Sequence, residues 1–437
     1  MLAQKTLDAA QTSEASHKST FFRQSGWMMI ATVVSGVFMS LVHGFSKILP
    51  QQEYSALGTL FQVLNWMTIP ALGLQMVFAQ QASAVITDVQ KRQLVETARK
   101  VMKWTFCIWL IMVAAAFLGR NYFITALKIS NPIALWLTVV IALLMLWRPI
   151  LLGLLQGRQN FLWMGWAAIF DGVGRFFIVW VIVGQLHGWA AGALAGALIG
   201  LVASFSTAAW QNRDLRHEPG AQFVAGTWLK RVVPLTLGFG ASQFIFSADL
   251  IVVQSHFDET GAYVFGGTLA RAIVLFTGPL AAVMFSKLAH SAARSQKSDL
   301  MGLTLLGTAI LGCLAAVGLW ITSPLVIRYG AKPEYLTIVP QISLFAWSMV
   351  PLALANVLLN NLMAHSRFKV VPALMTVAIG YWVALQYHHS SFKEVIQTLG
   401  IFSTLFLAVC MVFTWGVKAK AKPVVDEATP PVEPLSI

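Results

Sequence analysis

Acidic side chains are scarce in this sequence: 17 Asp and Glu stand among 437 residues, against 30 Lys and Arg. Charged residues of both signs make up only 11% of the chain, where an ordinary soluble domain carries about a quarter. With 57% of its residues hydrophobic, such a chain is excluded from folding as a water-soluble globule. Cysteine is scarcer still. Cys107, Cys313 and Cys410 fall in apolar runs, without a CxxC or Cys/His metal spacing, and read as small buried side chains. The sequence also lacks a G-x-S-x-G elbow, a Walker A loop, an HExxH and any Ser/His/Asp arrangement. His388 and His389 adjoin each other with no further ligand nearby in sequence. The reading is therefore of a protein that is not an enzyme and carries no metal or cofactor.

What the sequence has instead is long apolar runs. A membrane span needs roughly 20 apolar residues, because the hydrocarbon core is about 30 Å thick and a helix rises about 1.5 Å per residue. Runs of that kind lie at 25–48, 55–80, 103–119, 132–155, 163–185, 188–210, 233–256, 263–288, 301–324, 336–362, 371–389 and 395–417. The first 24 residues are polar and the run after them is span-length with no A-x-A-like exit, so no cleavable signal peptide is read. The fold class expected is an all-α integral membrane protein with about 12 transmembrane helices.

A net charge of +13 raises the question of nucleic acid, and the placement of the charge answers it. With the N-terminus inside, the inside segments hold 21 Lys and Arg, whereas the outside ones hold only Arg120, Lys128, Arg328, Lys332 and Lys393. That bias follows the positive-inside rule, with both ends cytoplasmic in a bacterial inner membrane. No nucleic-acid partner is read. The organisation expected is a cytoplasmic segment at 1–24, a six-helix lobe at 25–210, a cytoplasmic linker at 211–232, a second lobe at 233–417 and a disordered tail at 418–437. The tail opens with Lys418, Lys420 and Lys422 and turns proline-rich.

An internal repeat supports the two lobes. A shift of 209 residues sets Tyr54 on Tyr263, Gly58-Thr59-Leu60 on Gly267-Thr268-Leu269, Pro70 on Pro279 and Ala84 on Ala293. Six spans return the chain to its starting side, so the halves would be parallel repeats related by a pseudo-two-fold axis along the membrane normal. Pro70 and Pro279 would each kink a helix near midplane. The natural binding site lies between the lobes.

These residues carry a resemblance. Leu49-Pro50-x-x-Glu53-Tyr54-x-x-Leu57-Gly58, continuing to Pro70-Ala71-Leu72-Gly73-Leu74-Gln75, resembles the first-loop and second-helix signature of polysaccharide flippases in the MATE-like superfamily. Gly153-Leu154-Leu155-Gln156-Gly157-Arg158-Gln159-Asn160-Phe161 is similar to that family's G-x-L-Q-G-x-x-x-F stretch. Pro234, Asp249 and Asp258-Glu259-Thr260-Gly261-Ala262-Tyr263 open the second half in the same manner. The resemblance implies a V-shaped pair of lobes that moves a polyprenyl pyrophosphate-linked oligosaccharide to the outer leaflet for surface or exopolysaccharide biosynthesis. Polysaccharide polymerase and glycosyltransferase partners, and coupling to a Na+ or H+ gradient, would accompany that role. A cation-coupled multidrug exporter of the same superfamily and a membrane ligase or polymerase are the alternatives.

Ionisable residues at bilayer depth cost several kcal/mol and tend to face a cavity or a partner. Here they are Arg148, Asp171, Arg175, Asp249 and Arg271, with Lys47 near an outer end. Arg148 and Asp171 lie about 7 and 8 residues from the inner ends of their helices, and Asp249 and Arg271 about 7 and 8 from the outer ends. At about 1.5 Å per residue both members of each set share a depth. Two interhelical ion pairs are thus available, with Arg175 competing for Asp171 as its i, i+4 neighbour. Three cations face two anions, and Arg148, Arg175 and Arg271 are the candidates for a substrate pyrophosphate. Asp171 and Asp249 are the candidates for charge pairing or ion coupling. Asn356 and Asn360 share a helix face suited to sugar hydroxyls, and Gln75, Gln156, Gln243 and Asn361 offer further amides or interhelical packing bonds.

Overall fold

The computed structural model describes residues 2–416 except for 127–130, 216–217, 221–224, 258–259, 294–299, 331–332 and scattered positions between 43 and 66. Side chains are described from Ser19 onward. Lys47 and the tail 418–437 lie outside the described residues. Among the described residues the architecture is all-helical, with twelve helices of at least 16 residues. They are α1 Leu2–Val42, α2 Thr68–Ser83, α3 Asp88–Leu118, α4 Pro132–Gly157, α5 Phe161–Val179 and α6 Trp189–Gln211. The second six are α7 Ala225–His256, α8 Gly261–Ala293, α9 Leu300–Gly330, α10 Val339–Ala364, α11 Val371–Tyr387 and α12 Phe392–Met411. Ten of these, α3 to α12, are long and apolar enough to cross a membrane, and α1 and α2 flank the undescribed positions.

Local chemistry sets several of the helix starts. Thr87 accepts from Gln90 N while the Gln90 side chain returns to Thr87 N, a capping box that begins α3. Asn131 caps α4 ahead of Pro132, and Ser391 caps α12 by accepting from Glu394 N. The cap on α3 corrects one expectation: the third span, placed at 103–119, is the second half of a 31-residue helix whose first half is the basic stretch from Asp88. Leu94, Val95, Ala98 and Val101 recur on one buried face amid its charges. Likewise α7 starts at Ala225 rather than 233, and the polar N-terminal stretch belongs to α1. Pro70 lies in the first turn of α2, where a missing N–H costs nothing, just after a turn in which Met67 N donates to Leu64 O. Pro279, its repeat equivalent, sits inside α8.

The packing of the first six helices is repeated by the second six. Within the first, α1 packs on α5, α2 on α4, α4 on α6 and α5 on α6, while α3 lies against α4. Within the second, α7 packs on α11, α8 on α10, α10 on α12 and α11 on α12, while α9 lies against α10. Each contact maps onto its counterpart by a shift of six helices. The two most extensive contacts between the groups, α1 with α8 and α2 with α7, are related by the same operation, as the two-lobed fold requires.

The repeat extends to single hydrogen bonds. After α4, Asn160 N donates to Leu155 O at 2.9 Å and Gln159 N to Gln156 O at 3.1 Å; after α10, Arg367 N donates to Leu362 O at 2.9 Å and Ser366 N to Met363 O at 3.0 Å. Both are Schellman ends, and both place a non-glycine residue in the left-handed region, Gln159 at φ 59° and Ser366 at φ 54°.

The ends of α3, α4, α6, α8 and α10 that carry Lys91, Arg99, Arg158, Arg213, Lys287 and Arg367 form one basic face. The largest buried apolar cluster joins both lobes: its first-lobe members, such as Phe21, Val77 and Leu155, lie near this face, while in the second lobe it runs from Leu235, Phe285 and Met363 to Tyr263 and Val395 at the opposite ends. Toward the opposite face the first lobe has a cluster of its own, around Leu60, Ile141, Val183 and Leu194, and no buried residue of the second lobe enters it among the described residues. Among the described residues, the core that the two lobes share lies at the basic end of the first lobe.

Candidate functional site

Two clusters of charge lie within the helices, one in each lobe. In the first, Asp171 of α5 is buried with its side chain 3% exposed. Its Oδ2 receives Arg148 of α4 at 3.1 Å and its Oδ1 receives Arg175, one turn along α5, at 3.3 Å. Arg148 Nε also donates to Ser204 Oγ of α6 at 2.7 Å. Gly200 of α6 and Gly172 of α5 permit the close approach, because a Cβ at Gly200 would lie 3.0 Å from Asp171 Oδ1 and one at Gly172 would strike Ser35 of α1. Two guanidinium groups thus converge on one carboxylate, leaving an excess of one positive charge. About a fifth of each arginine side chain is exposed, and Arg175 Nε has no partner among the described residues.

The second cluster is drier. Asp249 of α7 is fully buried, and its Oδ2 accepts from both Arg271 and Tyr263 Oη of α8. Arg271 Nε donates to Phe246 O at 2.8 Å, and its guanidinium lies over the Phe345 ring at 5.2 Å. Asp249 Oδ1 has no hydrogen-bond partner among the described residues, and neither has the buried phenol of Tyr381 on α11, which lies close enough to interact electrostatically with Asp249.

The remaining predicted residues take part in helix contacts. Asn356 Oδ1 accepts from Ser242 Oγ of α7 at 2.6 Å, and Asn360 Nδ2 donates to the carbonyl of Asn356 at 2.7 Å. Asn356 thus belongs to the α7–α10 packing surface, whereas Asn360 bonds within its own helix and its Oδ1 has no partner among the described residues; Asn361 is buried as well. Gln75 Nε2 donates to Gln156 Oε1 at 3.0 Å. Tyr263, Tyr381 and Ser204 are partners or close neighbours of the charges that depth counting did not single out. The signal for Tyr263 was present in the repeat, where it matches Tyr54.

The lobes are joined at the basic face by hydrogen bonds to main-chain carbonyls. Gln80 of α2 donates to Met363 O of α10 at 2.8 Å and to Ser366 Oγ at 3.0 Å. Ser286 of α8 donates to Gln156 O of α4 at 2.6 Å, and Gln156 Nε2 donates to Ala282 O of α8 at 3.2 Å. Gly73 lets α2 close directly onto Thr236 of α7. Beyond these contacts the turn after α6 is tied down by ions. Arg158 forms a fork on Asp214 at 2.9 and 2.7 Å, and Lys91 pairs with Glu218. Partial burial raises the Asp214 carboxyl, but the Arg158 hydrogen bond and charge outweigh that and hold it below its ordinary range.

The sequence matches no protein-family model and no curated protein. The fold is nonetheless shared with solved structures. A eukaryotic MATE transporter, AtDTX14, superposes with a TM-score of 0.76 at 8% identity, covering 93% of this chain and 97% of that one. A point mutant of the Vibrio cholerae MATE transporter VcmN gives 0.74 at 11% identity over 92% and 97%. An outward-facing multidrug resistance MATE family transporter of the MOP superfamily gives 0.70 at 14% identity over 91% and 94%. At these identities the likeness establishes the MATE transporter fold.

Proposed function

We propose that this chain exports a polyprenyl pyrophosphate-linked oligosaccharide, passing it from the leaflet at the basic face to the opposite leaflet by alternating access. The positive-inside rule makes the basic face cytoplasmic, so the hydrogen bonds that join the lobes there would close the inner side. One observation supports this cargo above the rest: Arg148 and Arg175 share the single carboxylate of Asp171. A net cation inside a membrane protein is costly unless an anion compensates it. Guanidinium forks match phosphate oxygens, and a diphosphate passing between the lobes would take up the charge that Asp171 leaves unbalanced.

The multidrug reading draws on one structural neighbour, the multidrug resistance MATE family transporter. A cationic drug calls for an unengaged carboxylate, whereas Asp171 and Asp249 each already hold a guanidinium. The two readings separate in proteoliposomes loaded with a fluorescent polyprenyl pyrophosphate saccharide on one leaflet and, in parallel, a cationic dye. Saccharide should appear on the other leaflet at a rate that falls at least tenfold in Arg175→Gln at equal protein content. Dye movement without saccharide movement would overturn the proposal.

A further inference from the structure

We propose that the first lobe binds one anionic phospholipid of the basic-side leaflet in a groove between α3 and α6. Both helices pack on α4, which leaves a cavity of about 140 Å³ between them. Leu151 and Leu154 of α4 form its floor, Val95 and Met102 of α3 one wall, and Phe205 and Ala209 of α6 the other. Trp147 stands beside the membrane-centre end of the groove. Its ring stacks on Phe205 at 6.3 Å between centroids, and its Nε1 donates to Met102 O and Thr105 Oγ. The other end is stopped by Leu215 and by Asn212, whose amide is committed to Leu151 O and Ala208 O. An apolar slot of this kind holds no water stably, since a buried water needs two or more polar partners.

The surroundings name the occupant. The groove lies where α3 passes from charge to hydrocarbon: Lys103 is its last ionised residue and Trp104 follows, exposed on the outer wall. A slot at that depth is reached from the bilayer by an acyl chain. Arg99 lines its mouth with the side chain 41% exposed, its guanidinium turned to Glu218 O at 2.8 Å and near Glu96 at 3.9 Å. Among the described residues, 88–103, Arg158, 213–215 and Glu218 bring seven Lys and Arg against four Asp and Glu. That excess selects a negative headgroup over a zwitterionic one. A slot of about 140 Å³ is also too small for a peptide segment.

The test uses the purified chain in detergent with dioleoylphosphatidylglycerol or dioleoylphosphatidylcholine, read by native mass spectrometry. The expected result is a one-to-one phosphatidylglycerol adduct that survives activation energies which strip phosphatidylcholine, with an apparent affinity at least tenfold higher. Ala209→Phe fills the slot and should abolish the adduct, while Arg99→Gln should reduce the preference for phosphatidylglycerol to under threefold and Arg99→Lys should keep most of it. The melting temperature without lipid reports folding, and Ala98→Leu fills the facing wall if Ala209→Phe does not fold. Equal retention of the two lipids, or an unchanged adduct in a folded slot-filled variant, overturns the site. Displacement of phosphatidylglycerol by equimolar polyprenyl phosphate would give the groove to an isoprenoid chain and overturn it as well.

Discussion

Gln80 and Ser286 do the same thing from opposite lobes: each sends a side-chain hydrogen bond to a main-chain carbonyl in the last turn of a helix in the other lobe, Gln80 to Met363 O and Ser286 to Gln156 O. The two acceptors occupy the same position of the two Schellman ends, within one turn of the left-handed residues Ser366 and Gln159. The closure at the basic face therefore obeys the pseudo-two-fold axis down to individual bonds.

Each bond is worth about 1 kcal/mol net. Gln80→Ala or Ser286→Ala should shift the balance between closed and open basic faces about fivefold, and the double variant about 25-fold if the two act independently. Spin labels at the exposed positions Arg92 and Gly302 would report the distance distribution. No change in the double variant would mean that the apolar core alone holds the face shut.

Asp249→Asn strands Arg271 in a buried site without its counter-charge, a loss of about 3–5 kcal/mol. Arg271→Gln should cost a similar amount, and the double variant much less than the sum, as read by thermal unfolding in detergent. Simple additivity would show that the two are not coupled. Tyr263→Phe should cost about 1.5–3 kcal/mol, since it removes a donor to a charged carboxylate.

Transport should fall in steps from the unaltered chain to Arg175→Lys and then to Arg175→Gln. The lysine keeps the charge and loses the planar fork, and the glutamine loses both. Asp171→Asn should act differently. It releases two arginines at once, so both stability and the selectivity for anionic cargo should change. A stability measurement run beside the transport assay distinguishes the two effects.

The Arg158–Asp214 fork should be insensitive to pH in the neutral range. Because the Asp214 carboxyl is held below its ordinary value of 3.8, its contribution is complete above that value and is lost as the pH falls through the lowered one. With both side chains more than a third exposed, the contribution is at most about 1 kcal/mol. Hydrogen exchange of residues 212–215, corrected for intrinsic rates, should show protection weaker at pH 3 than at pH 5 by at most about fivefold. In Arg158→Gln the difference should vanish.

The periodicity of apolar runs conveyed the helices because bilayer thickness imposes a minimum length on each. It failed on 87–102 because charge density hid an amphipathic face. Thr87 and Gln90, at capping-box spacing, were the better guide there. Depth counting brought Asp249 near Arg271, yet it could not choose between Arg148 and Arg175 for Asp171, since a cross-helix contact and an i, i+4 contact are equally available in one dimension. The structure takes both. Tyr381 was illegible for another reason: a phenol in an apolar run looks like any aromatic until its neighbours are known.

The acceptors at the basic face are peptide carbonyls, and a carbonyl persists whatever side chain it carries. Met363 and Gln156 could be exchanged for other residues while Gln80 and Ser286 kept their bonds, so no compensating pair of substitutions need ever arise across the interface. Related sequences aligned with one another would then show no covariation at the point where the lobes are fastened, and the fastening could drift from one donor to another without leaving a correlated trace.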